Sequence, residues 1–162
     1  MVAFFEMVGG QALAFIGFAL AVGLCCIGSA KGTGMVGEAA TGVLAETPEH
    51  FTKCMILQAL PGTQGLYGLA AGFFGLFTLG FFSGSPATLT VADGMAVLFA
   101  CLPIMLGGFL SAIAQGRVAA ASINIVAKKP DQYMKGVIMC GIVEFYAILS
   151  LVGTILLLMN AL

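Results

Sequence analysis

The sequence predicts an all-α membrane protein of four transmembrane helices, on three observations. Of its 162 residues, 60% are hydrophobic and 8% charged, and the mean hydropathy is +1.11, a composition far from that of soluble domains. Four apolar stretches, at about 11–44, 51–82, 91–127 and 133–162, each exceed the ~20 residues that a helix needs to cross a bilayer. The stretches run continuously rather than alternating, and an open sheet in hydrocarbon would leave backbone groups unpaired, so strands are excluded. The whole chain, 1–162, reads as a single membrane domain.

The opening residues MVAFFEMVGG lack a positive n-region and carry Glu6, so no cleavable signal is expected and the first span should persist in the mature protein. That span holds Gly17, Gly23, Gly28, Gly32, Gly34 and Gly37. Helices so rich in small residues pack backbone to backbone. Residues 32–37 (GTGMVG) match the dinucleotide fingerprint GxGxxG, but no strand precedes them and they interrupt a membrane-length apolar run, which rejects that reading. In the second span Pro61 denies the Leu57 carbonyl its helical partner and kinks the chain, turning backbone oxygens near Leu60 toward a ligand. The third span is thin again, with Ala112, Ala114, Gly116, Ala119, Ala120 and Ala121. By contrast the second and fourth carry Phe73, Phe74, Phe77, Leu149, Leu151, Leu156 and Leu157, side chains suited to lipid. Two layers follow, thin helices inside and bulky ones outside.

All six basic residues (Lys31, Lys53, Arg117, Lys128, Lys129 and Lys135) lie in or toward the two hairpin connections. The positive-inside rule therefore places both hairpin loops in the cytoplasm and both termini on the outer side of a cell membrane. Lys31 and Arg117 fall within helices, where they snorkel or line a wet cavity. His50, in the first loop beside Glu49, reads as solvated. Cys25, Cys26, Cys54, Cys101 and Cys140 lie in or at the edges of spans without CxxC spacing and read as small apolar packers.

One pattern is used twice. Residues 30–32 (AKG) align with 114–116 (AQG), and 45–49 (AETPE) with 127–131 (AKKPD). The repeats cover approximately 11–82 and 91–162 and share an orientation, so they form a parallel tandem duplication of a hairpin. With a two-residue slip, Gln64 falls where the second half has Glu144.

Of seven acidic residues, six can be placed near helix ends or loops, whereas Glu144 lies near the middle of the fourth span. An ionised group there costs at least ~2.5–3.5 kcal/mol, so it needs a partner or a task. Counted from the cytoplasmic loops, Gln64, Gln115 and Glu144 all lie roughly 18–20 Å deep at ~1.5 Å per residue. Thr63 adjoins Gln64, and Tyr67 is one turn further along. One carboxylate, two amides, a hydroxyl and a carbonyl suit a hard monovalent cation better than catalysis.

Residues 60–68 (LPGTQGLYG), 114–120 (AQGRVAA) and 143–146 (VEFY) resemble the four-helix proteolipid (K, or c-type, subunit) of V-type (V/A-type) ATPases, closest to its bacterial sodium-pumping form. The resemblance covers essentially the whole chain. It implies a homo-oligomeric rotor ring in the membrane sector, turned by ATP hydrolysis in a separate soluble sector. It further implies a stator subunit bearing an arginine, cytoplasmic rotor-stalk subunits and lipid as partners, with no nucleic acid. In sodium-binding members the positions matching the Leu60 carbonyl, Thr63, Gln64, Gln115 and Glu144 hold the ion, and that matching Tyr67 hydrogen-bonds the carboxylate. The chain itself is expected to be non-catalytic. Two alternatives stand beside the Na+ carrier: a proton-carrying ring, and a four-helix scaffold or small exporter.

Overall fold

The computed structural model describes residues 2–161, with side-chain surroundings for 9–161; Met1, Leu162 and the side chain of Glu6, which the sequence put at or near the chain ends, lie outside the described residues. Helix α1 spans Val2–Glu46. It starts well before the apolar stretch at 11, and Gly9–Gly10 do not interrupt it. Gly10 is needed there, because a Cβ would collide with the Leu89 and Thr90 carbonyls.

After a 3₁₀ turn at Pro48–His50, the second span is α2 (Phe51–Ala59), a 3₁₀ turn (Leu60–Gly62) and α3 (Thr63–Thr78). The break falls at Pro61, as expected of a residue without an N–H. α3 ends on Gly80, whose φ of 74° is left-handed, a conformation that glycine adopts without steric cost. The third span starts on a capping box, in which Asp93 N–H donates to Thr90 Oγ1 at 3.2 Å and Thr90 N–H to Asp93 Oδ2 at 2.9 Å. It consists of α4 (Val91–Ala100) and α5 (Leu102–Lys128). The interruption at Cys101 differs from the single stretch expected and has its cause in Pro103, which removes another backbone donor. α6 (Met134–Ala161) completes the chain unbroken.

Gly9–Glu46, Val91–Lys128 and Pro130–Ala161 are each long and apolar enough to cross a membrane. The second span reaches that length only as α2, turn and α3 together, with 9, 3 and 16 residues. Among the described residues there is no strand.

α1 and α5 run side by side in the same direction. A Cβ added to Gly116 would lie 2.5 Å from the Gly32 Cα, and one on Gly94 would lie 2.7 Å from the Gly10 Cα. These pairs are 84 positions apart in both cases, the same offset at which AKG aligns with AQG. The duplicated helices thus meet at equivalent residues, held close by the small side chains. α3 packs on α1 and α6 on α5. Phe73, Phe77, Leu149, Leu156 and Leu157 are exposed as expected, whereas Phe74 and Leu151 pack against the buried cluster that includes Phe18, Leu79 and Leu158. Between the two hairpin turns, Lys53 Nζ lies 3.8 Å from Asp131 Oδ1.

Among the described residues the buried apolar side chains form two clusters. One holds Phe18, Leu79, Val97, Ile104 and Leu158 toward the middle-loop end. The other holds Val36, Leu57, Ile123, Val126 and Cys140 toward the hairpin-turn end. In the second, third and fourth spans the residues between the clusters include those of the polar layer described next.

Candidate functional site

The polar layer is built around the break in the second span. Without a donor at Pro61 the chain tightens into one 3₁₀ turn, and Leu60 O receives both the Thr63 N–H and the Thr63 hydroxyl, the latter at 2.9 Å. Gln64 follows at the start of α3 and is fully buried, at 0% exposure, as is Gln115 from α5. Tyr67, one turn along α3, donates its hydroxyl to Glu144 Oε1 of α6 at 2.5 Å. Gln115 Nε2 donates to Glu144 Oε2 at 3.5 Å, a weak contact, and to the Cys140 carbonyl at 3.0 Å.

Direction follows from one backbone oxygen. The Cys140 carbonyl can only accept, so the amide nitrogen of Gln115 must face it and Gln115 Oε1 must face Gln64. Gln64 Nε2 donates to that oxygen at 2.6 Å. Gln64 Oε1 is left over. Among the described residues it is the one buried side-chain oxygen or nitrogen without a hydrogen-bond partner. A buried, unpaired acceptor is costly and calls for a hydrogen-bond donor or a cation.

The residues expected from the sequence are therefore placed as follows. Gln64, Gln115, Glu144 and Tyr67 form one hydrogen-bonded chain across three helices. Thr63 and the Leu60 carbonyl are bonded to each other beside it. Sequence reasoning missed the Cys140 carbonyl; its signal was the position of Cys140 one helical turn before Glu144, since its thiol only packs. Lys31 and Arg117 are exposed on α1 and α5 and are not part of the chain.

Chemically the layer is a set of hard oxygens with one carboxylate. Among the described residues no three His, Cys, Asp or Glu side chains come together as they would at a transition-metal site. The other described acids lie elsewhere. Asp93 caps α4, Glu49 and Asp131 sit in the hairpin turns, and Glu38 and Glu46 are exposed toward the end of α1.

The family model for the C subunit of ATP synthase matches the chain twice, over residues 16–74 and 98–157, once in each hairpin. The V-type sodium ATPase subunit K of Enterococcus hirae is 47% identical over 153 residues, 94% of either chain. The A-type ATP synthase subunit K of Methanocaldococcus jannaschii is 38% identical over 95% of this chain and 65% of its own length. The 16 kDa proteolipid of the V-type proton ATPase of Nephrops norvegicus is 29% identical over 86% of this chain and 84% of its own. A duplicated helical hairpin with a carboxylate in the second copy, matched by one family model in both halves, leads to one assignment: the chain belongs to the family of the ATP synthase C subunit.

Proposed function

We propose that this protein is the ion-carrying rotor-ring subunit in the membrane sector of a rotary V-type ATPase, and that the ion is Na+, carried on Glu144. The observation that carries the reading is the unpartnered Gln64 Oε1 in the buried layer that contains the carboxylate. A monovalent cation gives that oxygen and the carboxylate a common positive partner. The Leu60 carbonyl, Thr63 hydroxyl, and Gln64 and Gln115 amide oxygens replace water around it. The 47% identity to a protein named for sodium supports the same choice over a proton.

Electrostatics then sets the cycle. An ionised Glu144 facing lipid costs at least ~2.5–3.5 kcal/mol, but with a bound cation the pair is neutral and can be carried through hydrocarbon. Tyr67 holds one carboxylate oxygen, so the side chain stays turned into its own chain rather than outward. At a stator subunit bearing an arginine, the carboxylate gains an alternative cationic partner and the Na+ leaves toward an aqueous half-channel. The large apolar surface, including Leu66, Phe73, Ile142, Tyr146 and Met159, suits lipid and neighbouring copies in a homo-oligomeric ring. The basic residues near the two hairpin turns put those turns on the cytoplasmic side, where they meet the rotor stalk, and the termini outside. ATP is hydrolysed by other chains.

The test is ATP hydrolysis by the purified complex as Na+ is titrated at fixed pH. Saturable stimulation, lost in Glu144→Gln, is expected. Activity that follows pH and ignores Na+ would replace this reading with the proton-carrying ring, and a chain that purifies only as a monomer or dimer would replace it with a scaffold or exporter.

A further inference from the structure

Beside the Leu60–Gly62 turn, α1 presents Ser29, Gly32 and Thr33, which share one helical face at i, i+3 and i+4. Each meets a different part of the turn. A Cβ on Gly32 would lie 2.8 Å from the Pro61 Cβ, and one on Gly62 would lie 3.6 Å from the Thr33 Cγ2. Ser29, only 7% exposed, accepts the Gly65 N–H on its Oγ at 2.9 Å. Gly65 is in the first turn of α3, where a helix has no acceptors of its own for its N–H groups. Among the described residues this is the one hydrogen bond between α1 and the segment 60–65. Close approach is possible because residue 65 is a glycine, on which a Cβ would already stand 3.4 Å from the Ser29 Oγ.

The second repeat lacks this tie. At the offset of 84 that relates α1 to α5, Ser29 corresponds to Ile113, and α6, which corresponds to the broken span, runs without interruption. The hydroxyl at this position therefore occurs only in the repeat whose second helix is broken, next to the segment that supplies Leu60 O, Thr63 Oγ1 and Gln64.

From this geometry we infer that Ser29 is a positioning residue for ion binding: it holds the Leu60–Gly65 turn in register so that its oxygens are preorganised for Na+. The inference rests on the sodium-carrying reading above. Without the tie the turn is free to rock about Pro61, and ordering it on binding subtracts from affinity. Ser29 is not among the proposed ion ligands, so its loss changes how tightly Na+ is held and leaves the carrier intact.

The experiment titrates Na+ in the ATPase assay of the purified complex carrying Ser29→Ala, Ser29→Cys or Ser122→Ala. Ser122 is a second buried serine, but its hydroxyl bonds the Val118 carbonyl of its own helix. Ser29→Ala is expected to raise half-saturating Na+ about three- to twentyfold, the span that interhelical hydrogen bonds cover in membranes, while the maximal rate changes less. Ser29→Cys, a weaker acceptor of similar size, should fall between, and Ser122→Ala should match wild type. A merely structural role would lower ring yield or maximal rate without moving half-saturation, and that result overturns the inference. If Ser29→Ala rings do not assemble, the Ser29→Cys titration decides by the same criterion. A wild-type complex indifferent to Na+ overturns the functional reading and this inference with it, whereas a sodium-dependent wild type with an unshifted Ser29→Ala overturns this inference alone.

Discussion

Gln64→Leu separates ion ligation from helix packing, because the buried amide does both. The substitution conserves approximate volume at a fully buried site. It removes Gln64 Oε1, and it leaves Gln115 Oε1 without the donor now 2.6 Å away. A buried acceptor so orphaned costs about 1–3 kcal/mol in proteins generally, and interhelical hydrogen bonds in membranes average about 0.6 kcal/mol. A loss of about 1–2 kcal/mol is therefore expected in each quantity. For sodium that is about 5- to 30-fold weaker half-saturation, and for the ring a measurable drop in thermal stability. The double variant Gln64→Leu/Gln115→Leu distinguishes the two effects. Replacing both partners by apolar groups removes the orphaned Gln115 acceptor, so stability should recover in part, short of what the Gln115 amide gives the Cys140 carbonyl and Glu144 Oε2. Two candidate ligands are then missing, so sodium affinity should fall further. The assays are thermal dissociation of the detergent-solubilised ring and Na+ titration of ATP hydrolysis. Affinity recovering together with stability would refute the argument, since the amides would then act on sodium only through packing.

Tyr67→Phe removes the hydroxyl that donates to Glu144 Oε1; half-saturating Na+ should rise several-fold in the same titration, with the maximal rate largely kept. Gln64→Glu should impair transport rather than double it: an ionised carboxylate there would face Gln115 Oε1 acceptor to acceptor, and reversing the Gln115 amide only moves the conflict to the Cys140 carbonyl. Faster Na+ uptake by that variant would count against a single shared site. Ser85→Cys in a cysteine-free background, in the exposed loop between the hairpins, should react with an impermeant thiol reagent from outside; reaction only from the cytoplasm would invert the topology.

The four spans were legible in the sequence because membrane burial is a matter of composition over long windows, and the break at Pro61 because proline acts locally. The interruption at Cys101 was not anticipated, although Pro103 encodes it by the same chemistry. Depth counting brought Gln64, Gln115 and Glu144 to one level, which the hydrogen bonds between them match. Their direction was not legible, since it depends on the Cys140 carbonyl, a backbone oxygen whose one signal in the sequence is its place a helical turn before Glu144. Phe74 and Leu151 were expected at the lipid surface yet pack inward, because side-chain size alone does not give a helix's rotation. Ser29 escaped notice for a related reason: its role comes from the register of α1 against the turn, set by glycine contacts between α1 and α5.

The central claim, that Glu144 carries sodium, is tested most directly by labelling with dicyclohexylcarbodiimide, a hydrophobic reagent that attacks protonated carboxyls reachable from lipid. Glu144 is the one carboxylate among the described residues that joins the buried polar layer, so it should be the labelled residue, and Glu144→Gln should abolish labelling. Sodium and a proton compete for the same oxygens, so Na+ should slow labelling at fixed pH, K+ should slow it less, and protection by Na+ should weaken as pH falls and protons win. Labelling at Glu144 that responds to pH but stays indifferent to Na+ at high millimolar concentration would contradict the account.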